Sequence, residues 1–388
     1  MKKEIFLAVM SIAILNGCQQ GEMQQKSQDS SQQSDVVNIV QAQETTPEET
    51  HEKVPSEIIS ESYMDLANSI SEYLSQEKFN GVALVASGDE LILVKGFGLS
   101  NLELQEPMTI DKKFQIASVS KSFVAVSILQ LVEQGQLSLD QTIDIYFPTL
   151  PHGEEITIHQ LLTHTSGLYS GDDLSNYTEP TTVDEVIADA FKENNLYYEE
   201  PGLYAIYSNL GYDVLGAIIE QITGQSYGEY VRLNILEPAG MNDSGLNIEG
   251  IELDNMATAY NGNISEGYNA RILHPSFGYA SGGLHSTILD LYKYDRALAA
   301  NQLISQESYD LMTTAYSKIG NKDYGYGWYI NLWLDNTVSH AGNLTGWHSM
   351  LLRDQDDKMT VILLTNHDES DMNMAYNIGQ LVLTEVNE

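Results

Sequence analysis

Two blocks of short apolar runs stand far apart in this chain, and a long stretch of helical periodicity lies between them. Gly81-Val-Ala-Leu-Val-Ala86, the turn Ser87-Gly-Asp89 and Leu91-Ile-Leu-Val94 read as a β-hairpin. Strands return only at Tyr326–Asn331, Thr337–His340, Ser349–Arg353 and Met359–Leu364. Helical spacing covers Ile158–Leu162, Val183–Phe191, Asn209–Ile222, Tyr227–Leu236, Ser286–Leu298 and Gln306–Thr313. Ser56 is placed to cap a first helix with apolar positions Ile59, Tyr63, Leu66, Ile70, Tyr73 and Leu74, and a last helix is expected over Met372–Val386. Strands at both ends must assemble one sheet. The expected class is therefore α+β: an antiparallel sheet from N- and C-terminal segments, flanked by helices, with an inserted and mostly helical subdomain. The α/β part spans about 58–125 and 275–388, the helical part about 126–274, and their junction is a natural cleft.

Chemistry points to Phe114-Gln-Ile-Ala-Ser-Val-Ser-Lys-Ser-Phe123. Val124, Ile128, Leu131 and Val132 follow at helical spacing and Gly135 marks the C-terminus, so Ser118 falls in the first turn of a helix. Ser118 and Lys121 are three apart and share a face, near enough to touch. Unpaired amide protons and the positive dipole end favour an oxyanion there, and an amine stands beside the hydroxyl. The bland alternative is a helix-capping serine. Ser75-Gln-Glu-Lys78 has the same spacing, but it closes its helix, where the dipole opposes an anion.

At the N-terminus, Lys2 and Lys3 precede an apolar run from Ile5 to Leu15, ending in Leu15-Asn-Gly-Cys18. The run is a secretory signal, too short to span a membrane. It resembles a bacterial lipoprotein signal (1–17), which implies lipidation of Cys18 and an extracytoplasmic, membrane-anchored protein. Asn16 is unusual in such a box. Cys18 is the only cysteine, so an intrachain disulfide and a thiol nucleophile in the folded part are both excluded. Residues 18–57 are rich in Gln, Ser and Glu and read as a disordered tether. About 40 such residues reach roughly 35 Å. The remainder, 58–388, is long enough for one large catalytic unit.

A net charge of −37, spread without acidic blocks, argues against nucleic acid and against electrostatic docking on anionic lipid. The nine histidines show no metal-binding spacing, so no metal and no cofactor are expected. A G-x-S-x-G elbow is absent. His164-Thr-Ser-Gly167 reads as a structural turn after a helix, and Tyr324, Tyr326, Trp328, Tyr329 and Trp333 as sheet packing. Gly282-Gly283 with Ser286 reads as a loop and helix cap beside the cleft.

Two further pieces matter. Tyr207-Ser-Asn209 opens a helix, where a phenol beside an amine can relay a proton and Asn209 can orient lysine and substrate. Tyr329-Ile-Asn331 repeats the pattern inside an aromatic strand. His340-Ala-Gly342-Asn343 ends a strand, where Gly342 admits close backbone approach and Asn343 N–H can serve as an oxyanion donor. In this order and at these separations, the pieces resemble the serine β-lactamase and penicillin-binding protein superfamily. The nearest likeness is to the branch holding class C β-lactamases, D-alanyl-D-alanine carboxypeptidases and related esterases. Leu161–Leu168, Tyr207–Gly224, Pro238–Met241 and Gly282–Thr287 carry it further, over about residues 60–385.

The resemblance implies Ser118 as acylated nucleophile, Lys121 as general base, Tyr207 as partner base or relay, and Asn209 as the orienting group. It implies the amides of Ser118 and Asn343 as the oxyanion hole. Lys121 and Tyr207 titrate as a pair, so which takes the first proton stays open. His340-Ala-Gly342 replaces the Lys-Thr-Gly usual in β-lactamases of this branch; His340 can donate a hydrogen bond, but Ala341 offers no hydroxyl. The expected function is a lipid-anchored serine hydrolase acting on D-alanyl peptides or related amides and esters. The alternatives are a carboxylesterase or weak β-lactamase of the same fold, and a non-catalytic wall-binding or regulatory lipoprotein. The implied partners are a small-molecule or peptidoglycan-derived acyl substrate and a membrane, not nucleic acid; no oligomeric state follows.

Overall fold

Val82, Leu84 and Ala86 face one hydrophobic cluster and Ala83 and Val85 another, so this strand reads as an unbroken apolar run rather than an alternating one. The computed structural model describes residues 57–150, 152–168, 182–190, 200–247, 249–262, 268–270, 274–369 and 371–386. The expected signal (1–17), Cys18 and the expected tether (18–57), apart from Glu57, lie outside the described residues. So do parts of the helical region, including Phe191 at the end of one expected helix.

Among the described residues, nine antiparallel strands form the main sheet. They are β1 (Glu57–Ile59), β2 (Gly81–Ser87), β3 (Glu90–Phe97), β4 (Ser317–Ile319), β5 (Lys322–Tyr324), β6 (Tyr329–Ile330), β7 (Thr337–Leu344), β8 (Trp347–Asp354) and β9 (Thr360–Thr365). Their spatial order is β1-β3-β2-β9-β8-β7-β6-β5-β4. The N-terminal hairpin joins the C-terminal strands where β2 pairs with β9, Val85 opposite Val361 and Ala83 opposite Leu363. The sheet is thus closed from both ends of the chain, as the strand pattern requires.

Helices α1 (Met64–Gln76) and α6 (Met374–Val386) cover one face through Leu66, Ile70, Leu74, Ile378 and Val382. The other face carries α2 (Ser120–Glu133), whose residues from Ser120 to Leu131 are all buried. A helix buried on every side is a central strut. Beyond it lie α3 (Ile158–Leu162) and α4 (Asn209–Thr223). Helix α5 (Ile288–Ala299) ties the strut to the sheet. Its Tyr294 ring stacks on Phe123 of α2 with centroids 4.0 Å apart.

Two expectations are corrected. The first helix begins at Met64, not after Ser56, and Glu57-Ile-Ile59 instead forms edge strand β1 against Lys95, Val94 and Leu93. Adjacent β-branched residues beside an open strand edge favour pairing over helix. The expected strand Tyr326–Asn331 is broken: Gly325 N–H donates to the Trp328 carbonyl at 2.8 Å, and only Tyr329–Ile330 pair. Gly327 lies in the left-handed region at φ +75°, and a Cβ there would sit 2.8 Å from the Lys121 carbonyl. The turn is pressed onto the start of α2. Elsewhere Tyr324, Tyr326 and Trp328 are buried, as packing residues should be.

Asp295 on α5 has no exposed surface. It accepts from Thr360 Oγ1 at 2.9 Å and stands 3.1 Å from Arg353 Nε, within ion-pair range though off the hydrogen-bond direction. Arg296 also pairs with it. Asp295→Ala removes the buried carboxylate from Arg353 and leaves it only the half-exposed Asp357 at 3.6 Å as a counter-charge, so urea denaturation should show a loss of about 3 kcal/mol, the low end for breaking a buried pair.

Candidate active site

Phe114-Gln115 pairs with Leu284–Ser286, and Ile116 N–H donates to the Leu284 carbonyl at 2.9 Å. This fixes the chain just before a 3-10 turn, Ala117–Val119, that runs into α2. Ser118 is half-buried in that turn, where amide protons lack intrahelical acceptors. Ala117 is held at φ +45°, a strained conformation for a residue with a Cβ.

Lys121 is fully buried. Its Nζ donates to Asn209 Oδ1 at 2.7 Å and to the Ser281 carbonyl at 2.8 Å, and it lies 3.3 Å from Ser118 Oγ. Both close partners are pure acceptors in these contacts. As an ammonium Lys121 can also donate to Ser118 Oγ; only after losing a proton can the amine, still bonded to these acceptors, turn a lone pair toward the serine hydroxyl. Lys121 therefore has the geometry of a base for Ser118. Ser75, by contrast, lies at the end of α1 with its hydroxyl donating to the Ser71 carbonyl.

Asn209 is the first residue of α4, after the N-cap Ser208, whose Oγ accepts from Gly211 N–H at 3.0 Å. Tyr207 precedes the cap and places its ring centroid 4.8 Å from Lys121 Nζ. The segment holding Tyr207 is strung onto the turn that follows α3. Gly202 N–H donates to the Thr165 carbonyl at 2.7 Å, and Ile206 N–H to the His164 carbonyl at 2.9 Å. Ser208 N–H donates to His164 Nδ1 at 3.0 Å, and the His164 ring packs on Tyr207 with centroids 4.4 Å apart. Burial, and then the Lys121 charge, hold His164 well below the usual imidazole range. His164 is structural, as its sequence context suggests, and the structure it supports is the Tyr207 segment.

The third wall is β7. A Cβ on Gly342 would fall 2.2 Å from both the Ile116 carbonyl and Ser349 Oγ. The close approach expected at Gly342 is thus to the protein's own Ile116–Ala117 backbone rather than to a ligand. Strand β7 continues through Asn343 to Leu344 instead of stopping at His340, and pairs with β8 along its whole length. Its pairing with β6 stops at Ser339. Thr337 directs its carbonyl to Asn331 N–H on the β6 side at 2.8 Å. Strand alternation puts Asn343 N–H on that same edge, beyond the end of β6.

His340 differs from expectation. It is 1% exposed, its Nδ1–H donates to the Ala341 carbonyl at 2.8 Å, and its Nε2 faces the Tyr324 hydroxyl at 3.1 Å. A carbonyl only accepts, so the proton is on Nδ1 and Nε2 accepts from Tyr324. Burial first, then Lys121, pushes the imidazole down to about 3. His340 backs the site as a neutral wall; it presents no donor to a substrate.

Sequence reasoning missed two residues. Ser281 contributes only its backbone, which no side-chain motif reveals. Asp213, four residues after Asn209 and so on the same face of α4, accepts from Ser281 N–H at 2.9 Å. Its helical spacing from Asn209 is a signal that could have found it. A cavity of about 990 Å³ opens beside the Ala117 turn, lined among others by Gln115, Gly282, Gly283, Leu344, Thr345 and Trp347. Among the described residues no group of His, Cys, Asp and Glu is placed to hold a metal ion.

The Beta-lactamase family model matches residues 66–384. The chain belongs to this family. It is 31% identical over 317 residues to a penicillin-binding protein of Bacillus subtilis (strain 168), covering 76% of this chain and 69% of that one. The structure of an octameric penicillin-binding protein homologue from Pyrococcus abyssi superposes with TM-score 0.71 at 30% identity, covering 83% of this chain and 77% of that one. The D-amino acid amidase of Ochrobactrum anthropi SV3, solved with L-phenylalanine, gives TM-score 0.71 at 25% identity, covering 83% and 98%. The α+β sheet with helices on both faces is the β-lactamase/transpeptidase fold, and its members include serine hydrolases.

Two outcomes follow from this geometry. Gly342→Ala must push β7 off the Ala117 turn, so it should lower the melting temperature and cut serine labelling by at least about 10²-fold, the scale of one lost oxyanion donor. The neutral His340 gives the second. The unfolded imidazole binds a proton near 6.5 that the folded one refuses until about 3, so its contribution is full above 6.5 and is lost as pH falls. Melting curves from pH 4 to 7 should show a shallower acid slope in His340→Gln.

Proposed function

We propose that this protein is an extracytoplasmic, lipid-anchored serine hydrolase that works through an acyl-enzyme on Ser118. The observation that carries the proposal is the buried Lys121 amine, which stands 3.3 Å from Ser118 Oγ while it donates to Asn209 Oδ1 and the Ser281 carbonyl. Ser118 Oγ attacks the acyl carbonyl as its proton passes to the Lys121–Tyr207 pair. The oxyanion that forms is received by the amides of Ser118 and Asn343. The stored proton goes to the leaving group, and water then attacks the ester by the same route in reverse. Asn209 holds Lys121 in place throughout. Cys18 carries the lipid, at about 0.8 kcal/mol per buried CH₂, and the following segment spaces the domain from the bilayer.

The substrates proposed are D-alanyl peptides or related D-amino-acid amides and esters, in keeping with penicillin-binding and D-amino acid amidase relatives. A second reading, esterase activity on acyl groups without a free carboxylate, is supported by the neutral, buried His340 and by Ala341, which offer no cation or hydroxyl. Slow acylation by penicillin accompanies either reading, and efficient β-lactam turnover neither.

Intact mass after exposure to penicillin and to a fluorophosphonate should show one adduct, absent in Ser118→Ala. Lys121→Ala should slow adduct formation by several orders of magnitude. An adduct that survives Ser118→Ala would sink the assignment. Turnover of a D-Ala-D-Ala peptide against a p-nitrophenyl ester then separates the two substrate readings, and an inert protein with both would indicate a binding lipoprotein.

A further inference from the structure

Behind Lys121 lies a buried carboxyl that the acylation scheme does not use. Asp213, 5% exposed, accepts from Ser281 N–H at 2.9 Å, and the Ser281 carbonyl accepts from Lys121 Nζ at 2.8 Å. One residue therefore joins the acid to the amine, through its own backbone donor and acceptor. We propose that Asp213 is a positioning residue that holds the Ser281 backbone against Lys121 and sets, by its charge, the pH at which Ser118 becomes nucleophilic.

The surroundings favour this role. The titratable groups that face Asp213 are Lys121 from α2, Tyr279 from the Tyr279–Gly282 turn and Tyr227 from the Tyr227–Val231 helix. Glu220, two turns on along α4, accepts from the Tyr279 hydroxyl at 2.8 Å. Both tyrosines are held above their ordinary range, mainly by burial, so among these groups Lys121 is the one whose charge acts on Asp213. Burial also pushes the Asp213 carboxyl up to about 7, with the Ser281 amide and the Lys121 charge opposing it. Once ionised, Asp213 holds the lysine proton more tightly and delays the base. While it is protonated, that hold is released. The coupling is reciprocal: whatever Asp213 adds to the proton affinity of Lys121, Lys121 removes from that of Asp213.

This inference rests on the reading of Lys121 as the base at Ser118, and the test separates the two. Fluorophosphonate labelling of the full chain is followed from pH 5 to 10 in wild type, Asp213→Asn, Asp213→Glu and Ser118→Ala. Asp213→Asn should move the midpoint of the rising limb about one unit or more toward acid, the scale for removing a neighbouring charge, while Asp213→Glu stays near wild type. A merely structural role would lower the plateau and leave the midpoint alone, and that result overturns the inference while sparing the base assignment. Labelling that persists in Ser118→Ala overturns both. Should Asp213→Asn not fold, carboxyl-labelled aspartate in wild type and Lys121→Met gives the same answer by NMR. The Asp213 titration must move upward when the amine is gone; an unmoved midpoint refutes the coupling.

Discussion

A lysine with no exposed surface must be met by oxygen or give up its charge. Much of the architecture around Lys121 answers that requirement. Its oxygen neighbours come from different places: Asn209 from the start of α4, Ser281 from the turn before Leu284–Ser286, and Ser118 from the 3-10 turn that leads into α2. Tyr207 and Tyr212 add aromatic faces at 4.8 and 5.6 Å. Each segment is itself anchored elsewhere, so the amine has little freedom to choose another geometry.

The backbone around the amine is correspondingly strained. Ala117, His164 and Tyr279, none of them glycine, sit at φ +45°, +59° and +23°. Ala117 precedes the serine, His164 supports Tyr207, and Tyr279 opens the turn that aims the Ser281 carbonyl. Such conformations survive only where packing over-determines them. Here the packing is α2 pressed between the sheet and the helical region, with Gly327 and Gly342 allowing backbone to approach from both sides.

Some of this was legible in the residues alone. The hairpin at Gly81–Phe97 shows a two-residue turn between apolar runs, and α4 carries both a serine cap and Gly224 after its end. Ser118, Lys121, Tyr207 and Asn209 converge as their spacing suggests. What escaped reading depended on tertiary context. Edge strand β1 exists because β3 offers it a partner; Ile58 and Ile59 suit a strand, but the edge that decides it forms only on folding. His340 could not be assigned an orientation, because the Tyr324 hydroxyl and the Ala341 carbonyl that fix its tautomer are partners only after folding. Ser281 acts through main-chain atoms, which leave no signature in side-chain identity.

The meeting of β2 with β9 has one more consequence. Until the final strands of the chain arrive, the sheet that carries Gly342 and Asn343 cannot close over the Ala117 turn. A half-made or unfolded copy holds only an ordinary serine hydroxyl, since contacts this distant along the chain form late. Whatever reactivity Ser118 possesses is therefore withheld during synthesis and refolding by topology alone, with no pro-segment or inhibitor required.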